Sequence, residues 1–257
     1  METTFERSSF GKRLGSMLKV DLRRMFTMRF LYVMLGVSLA IPILVLVMTT
    51  MVGGGDGGSS LAFTNVWQTI GSAGGSAMAL DMTAMCNINL IYFLAAVLVC
   101  TFVSDDFRSG YAKNLFTVRA KKADYVISKT LVCFVGVAGM LLAYFAGAML
   151  GGAIAGLSFE LGAAGGGGIV MCMLTKVLLA AVFVAIDLLW SVVAKQKLWL
   201  SVLGSLAGGM LLFPMIPMLT PLNATPMNVI LTLAGGALFG IGFGSTGGQV
   251  LKRTSLV

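Results

Sequence analysis

Several kinds of site chemistry lack their usual residues in this chain. It contains no histidine, and its four cysteines (Cys86, Cys100, Cys133, Cys172) share no short spacing and fall in or beside apolar segments. The commonest metal ligand and the usual proton carrier near neutral pH are therefore missing, and the thiols read as small buried hydrophobes. Two other arrangements carry chemical potential. The first is the stretch 104–129, SDDFRSGYAKNLFTVRAKKADYVISK, which holds three acidic and six basic residues although only 11% of the chain is charged. Charge at that density suits docking rather than catalysis. The second is Lys176 with Asp187, two ionisable groups inside one long apolar run. Such groups face a protein interior or water, because lipid does not solvate them.

The elements that must position these groups are membrane helices. Hydrophobic residues make up 58% of the 257 positions, and runs of about 20 apolar residues, enough to cross roughly 30 Å of hydrocarbon, recur along the sequence. The runs predict an all-α polytopic membrane protein with six transmembrane helices at about 30–52, 83–103, 127–151, 168–194, 198–219 and 227–247. The first, 23 residues from Phe30 to Val52, is too long for the apolar core of a signal peptide and is expected to remain as a span. Four-residue glycine spacings such as Gly147 with Gly151 and Gly236 with Gly240 would let helices approach closely.

Charge orients the six spans. Residues 1–29 carry seven Lys or Arg and the 104–126 loop carries five. Lys129, Lys195, Lys197, Lys252 and Arg253 fall on the same face, whereas segments 53–82, 152–167 and 220–226 contain no Lys or Arg. The positive-inside rule then predicts that both termini are cytoplasmic. Within 1–29, Leu14, Met17, Leu18, Leu22, Met25 and Phe26 recur at steps of three and four among basic residues. That pattern predicts a cytoplasmic amphipathic helix lying in the membrane interface ahead of the 30–257 transmembrane domain. The placement of charge also argues for a membrane surface as the partner of the basic residues, and against nucleic acid.

Inside the charged loop, Asp106-Phe-Arg108-Ser-Gly110 is followed by Tyr111-Ala-Lys113-Asn114-Leu115-Phe116, then by Arg119, and Lys129 opens the next span. An acidic start, a glycine hinge and a short mixed helix in this order resemble the type-2 ABC exporter permeases. The phrasing is closest to permeases that protect bacteria against lantibiotics and bacitracin, though Asp106 stands where Glu is usual in them. The resemblance implies a bacterial cytoplasmic membrane and a coupling helix in this loop, seated on a cytoplasmic ATPase. It also implies two ATPase subunits per transporter, and a second copy or a homologous permease. Asp106, Arg108, Gly110, Tyr111, Lys113, Asn114, Leu115, Phe116 and Arg119 would carry that contact, and the turn bearing Lys195 and Lys197 would add a second one.

No G-x-x-x-x-G-K-[ST] occurs, and the glycine runs at 53–58 and 165–168 lack the following Lys-Ser/Thr. The chain therefore reads as a transport subunit and not an enzyme. It has no cofactor of its own, and ATP and Mg would bind the partner ATPase. The cargo implied is a hydrophobic or amphipathic molecule such as an antimicrobial peptide, a lipid or a drug.

Other readings stay open at this point. A substrate-binding membrane subunit of an importer would bring polar pocket residues inside the spans, where they are sparse. A non-ABC secondary carrier or a membrane enzyme would want more acids or histidine at that depth. Lys176 and Asp187, eleven residues apart and about 16 Å along a helix, are too distant to pair. Either each reaches toward its nearer interface, or both lie on a translocation path. Four prolines (Pro214, Pro217, Pro221, Pro226) predict a broken helix and turn before the last span.

Overall fold

A computed structural model describes residues 10–53, 63–71, 87–117, 122–161 and 165–253. The described residues form nine α-helices: α1 (Phe10–Thr27), α2 (Arg29–Gly53), α3 (Leu90–Arg108), α4 (Tyr111–Thr117), α5 (Lys122–Ala155), α6 (Gly165–Ala194), α7 (Leu198–Leu212), α8 (Ile216–Leu219) and α9 (Pro226–Arg253). Six helical stretches are long and apolar enough to cross a membrane, namely Arg29–Met51, Leu90–Arg108, Lys122–Ala155, Gly165–Ala194, Leu198–Leu219 and Pro226–Val250. The protein is an all-α polytopic membrane protein.

The second, third and sixth spans differ from the hydropathy reading, the sixth running Pro226–Arg253 where 227–247 was expected. The second span was expected over 83–103; residues 83–86 lie outside the described residues, and the helix runs Leu90–Arg108, past 103 because its polar end, Ser104-Asp105-Asp106, stays helical once Asp106 is paired inside the bundle. The third was expected over 127–151 but runs Lys122–Ala155. At 1.5 Å per residue its 34 residues reach about 51 Å, longer than the hydrocarbon is thick. The fifth span passes through a 3₁₀ turn at Phe213–Met215 into α8. Pro214 and Pro217 lie in this tightened region, where a missing N–H is tolerated most readily.

Helix α3 is the hub. Two thirds of its membrane window (67%) is buried within the protein, against 22% for Leu198–Leu219 and 11% for α9. Around α3, Tyr92 stacks on Phe183 of α6 with ring centroids 4.5 Å apart. Helices α2 and α5 approach through glycine. A Cβ at Gly147 would collide with the Leu39 carbonyl and Pro42, and one at Gly151 would lie 2.8 Å from Ile43 Cα. Without a strong hydrophobic drive between helices in lipid, such backbone contact is what holds them together.

The connecting segments sort to two ends. At one end Val66 N–H donates to the Ser158 carbonyl (3.2 Å) and Ile88 N–H to that of Thr69 (2.9 Å), while Gly71 abuts Leu222. At the other, Tyr125 and Val126 of α5, Leu188 and Val192 of α6, and Gly244 and Gly247 of α9 line one small cleft. Helices α1 and α4 belong to this second end.

Candidate functional site

Four ionisable groups from three helices meet beneath α4. Lys129 Nζ of α5 lies 2.8 Å from Asp21 Oδ1 of α1 and 2.7 Å from Asp106 Oδ2 of α3. Arg24 Nη1 of α1 reaches Asp106 Oδ1 at 2.7 Å. Hydroxyls complete the set: Tyr125 donates to Asp106 Oδ2 (3.0 Å) and Ser128 to Asp21 Oδ2 (2.7 Å). The side chains of Asp21, Asp106 and Lys129 are wholly inaccessible, and only Arg24 retains some exposure, at 31%. Two carboxylates face two cations, so the network is neutral as a whole and each carboxylate also accepts from a hydroxyl. A buried ion pair persists only under such conditions.

Aromatic faces extend the network into α4. The Arg24 guanidinium carbon lies 4.1 Å from the Tyr111 ring centroid, and Lys129 Nζ lies 4.2 Å from that of Phe102. Burial would by itself lower the Arg24 pKa. The charge and hydrogen bond of Asp106, with Tyr111 and Asp21, outweigh it and hold Arg24 above its ordinary value. The Tyr111 phenol is also raised, chiefly by burial and then by the Asp21 charge, against the opposing pull of Lys129 and Arg24. Tyr111 therefore stays neutral and presents its ring to the cation.

The backbone sets α4 where this contact can form. Gly110 adopts φ +73° between α3 and α4, a left-handed turn that a Cβ would oppose. The short helix is anchored on one side: Ala112 is buried, Leu115 and Phe116 pack against the core, and Phe116 meets Tyr125 edge-on at 5.4 Å. Lys113 and Asn114 are exposed and point away from the bundle. The apolar centre of the loop therefore faces the protein's own core, and the outward surface of α4 is polar.

The other expected residues divide as follows. Arg108 is exposed beside the hinge, and Arg119 lies outside the described residues. Lys195 is half-buried with φ +53° in the tight turn from α6 to α7, and Lys197 is exposed there. Neither Lys113, Lys195 nor Lys197 pairs with an acid among the described residues. Neither Lys176 nor Asp187 is open to the surface of the chain: both are buried, at 1% and 2% exposure. Lys176 Nζ donates instead to Asn89 Oδ1 (2.9 Å) and Thr220 Oγ1 (3.0 Å), toward the end of the bundle away from α4.

The sequence reading missed Asp21, Arg24, Tyr125 and Ser128. One signal for Asp21 was present: it lies three residues after Leu18 and four before Met25, on the apolar stripe of α1. An acid there needs a buried partner. Met17, Leu18, Leu22 and Met25 of that stripe pack against the bundle, while Phe26 is half exposed.

Compared with known proteins, residues 18–211 match the family model described as ABC-2 family transporter protein. No curated protein and no solved structure matches the chain.

Proposed function

The chain belongs to the ABC-2 transporter family and is a permease subunit of an ABC transporter; from that premise we propose that it exports a hydrophobic or amphipathic substrate, with α4 as its coupling helix. Antimicrobial peptides, lipids and drugs are the cargo classes that suit its mostly apolar interior. The export step draws on ATP and Mg bound to separate ATPase subunits, two per transporter, and on a second copy or a homologous permease. Both termini and α4 face the cytoplasm of a bacterial cytoplasmic membrane.

The single observation that carries this reading is the shape of α4. Its outer face offers Lys113 and Asn114 to a partner, while its inner face is joined by Tyr111 to the Arg24–Asp106–Lys129 network. A push on α4 is therefore delivered to α1, α3 and α5 together, with little give. The turn at Lys195–Lys197 provides a second contact.

The test is to reconstitute the permease with its ATPase and replace Lys113→Glu together with Asn114→Asp. Both residues are exposed, so the variant should fold and insert normally. It should lose ATP-dependent transport and bind the ATPase more weakly. Full transport with unchanged ATPase binding would remove the coupling role from α4.

A further inference from the structure

Lys176 of α6 is a charged group that the coupling network does not use. Its Nζ donates to Asn89 Oδ1 at 2.9 Å and to Thr220 Oγ1 at 3.0 Å, and the residue is 1% exposed. Both partners are neutral, and an ammonium has three N–H donors. No acid among the described residues pairs with it. Asp187 lies eleven residues further along the same helix, about 16 Å away. Asp21, Asp106 and Asp124 are engaged at the α4 end by Lys129, Arg24 and Arg13. A charge buried at membrane depth calls for an opposite charge. Lys129 meets that condition twice, and no described residue meets it for Lys176.

The groups that hold Lys176 stand at the ends of helices. Asn89 immediately precedes α3, and Thr220 follows α8 at the start of the turn to α9. Tyr92, in the first turn of α3, donates to the Lys176 carbonyl at 2.8 Å. The Thr220 carbonyl accepts from the Cys172 thiol at 3.8 Å, one turn of α6 before Lys176. Cys172 is buried with Ile70 and Ala224 in a small apolar cluster, and Trp67, Met171 and Met173, each partly exposed, pack around it. Methionine side chains are flexible and polarizable and adapt to varied apolar shapes. One threonine thus joins a buried cation to an adaptable apolar patch that reaches the surface of the chain.

We infer that this end of the bundle binds an anionic amphiphile, its phosphate or carboxylate on Lys176 and its tail along Trp67, Met171 and Met173. The anionic oxygen takes the place of the Thr220 hydroxyl, so binding releases the turn between α8 and α9 from α6. Head and tail are selected together, since an uncharged or cationic amphiphile leaves Lys176 without an opposite charge. The inference names the charge class of the cargo and therefore rests on the export reading of the permease. Binding is measured on the purified full chain without any ATPase, so a failure to bind and a failure to couple are separate results.

Thermal unfolding is followed in dodecyl maltoside as dodecyl phosphate is added to the micelles. The midpoint should rise by a few degrees, as ligand linkage requires, and neither dodecanol nor dodecyltrimethylammonium should match it. Lys176→Gln should erase the difference between the anionic and uncharged probes, and Met171→Ala with Met173→Ala should weaken the response severalfold. Thr220→Val keeps Lys176 but removes the competing hydroxyl, so it should tighten binding severalfold. A lysine that only pins the turn would show no such gain, and this variant decides the matter should Lys176→Gln fail to fold. Inorganic phosphate separates the two sources of the anion: if it stabilises the chain as well as dodecyl phosphate does, the tail contributes nothing and the amphiphile is ruled out. Asp81, which lies outside the described residues, should leave the response unaltered when changed to Asn. A response confined to Asp81→Asn would give Lys176 a partner in its own chain and overturn the proposal, as would equal stabilisation by the anionic and uncharged probes.

Discussion

At the residue scale, the ion pairs in this protein differ sharply in what they contribute. Lys129 is fully enclosed between Asp21 and Asp106, whereas Arg13, 32% exposed, meets Asp124 at 3.3 Å near the surface. Removing one partner of a buried pair leaves the other charge without compensation, at about 3–5 kcal/mol. A partly exposed pair is worth under about 1 kcal/mol. Lys129→Met should therefore lower the thermal midpoint by roughly 10 °C, and Arg13→Ala should shift it by no more than a few degrees. Equal losses from the two would show that the interior network is wetter than its geometry implies. Of this network the sequence reading singled out Asp106 as a contact for the ATPase and Lys129 as the residue that opens the third span, and expected neither in a buried ion pair. Arg24 and Asp21 did not stand out, because their partners are 82 and 108 positions away. Their basic and apolar surroundings also read as a lipid-facing helix.

At the element scale, glycine has opposite meanings at different positions, and the structure separates them. Gly147 and Gly151 allow α5 to touch the α2 backbone, while Gly240 has open space around it. Gly147→Ala should push α2 from α5 and destabilise the protein, whereas Gly240→Ala should be tolerated in the isolated chain. Thermal unfolding of the two variants checks this, and a large loss at Gly240 would place another surface against α9. Spacing alone could not distinguish these glycines, since both belong to four-residue pairs. The spans themselves were legible, because length and apolarity are local properties. Their ends were less so: α3 keeps its acidic final turn only because Arg24 and Lys129 are there to receive Asp106, a tertiary fact. Helix α4 was expected from its composition, but which side faced outward depended on the position of Tyr125.

At the scale of the whole molecule, the segments poor in basic residues and the segments rich in them collect at opposite ends of the bundle. The topology proposed above follows from that sorting, and it can be read in intact cells. A cysteine introduced at Glu160 should react with a membrane-impermeant thiol reagent added outside, and one introduced at Lys113 should react only after the membrane is opened. The reverse pattern would invert the orientation and with it the side on which an ATPase can dock. Helices α2, α7 and α9 leave most of their apolar surface uncovered within one chain, which suits lipid or a second permease.

The pairing of Asp21 with Lys129 also bears on how the protein is made. Helix α1 is synthesised long before its partner in α5, and until then Asp21 has no enclosed counter-charge. During biogenesis α1 should therefore rest on the membrane surface, and dock only once the third span has been inserted beside the second. Nascent chains halted before residue 129 should leave α1 open to protease, and chains halted well beyond α5 should protect it. The buried charges would thereby act as a checkpoint on insertion, since a third span placed wrongly leaves α1 with nowhere to dock.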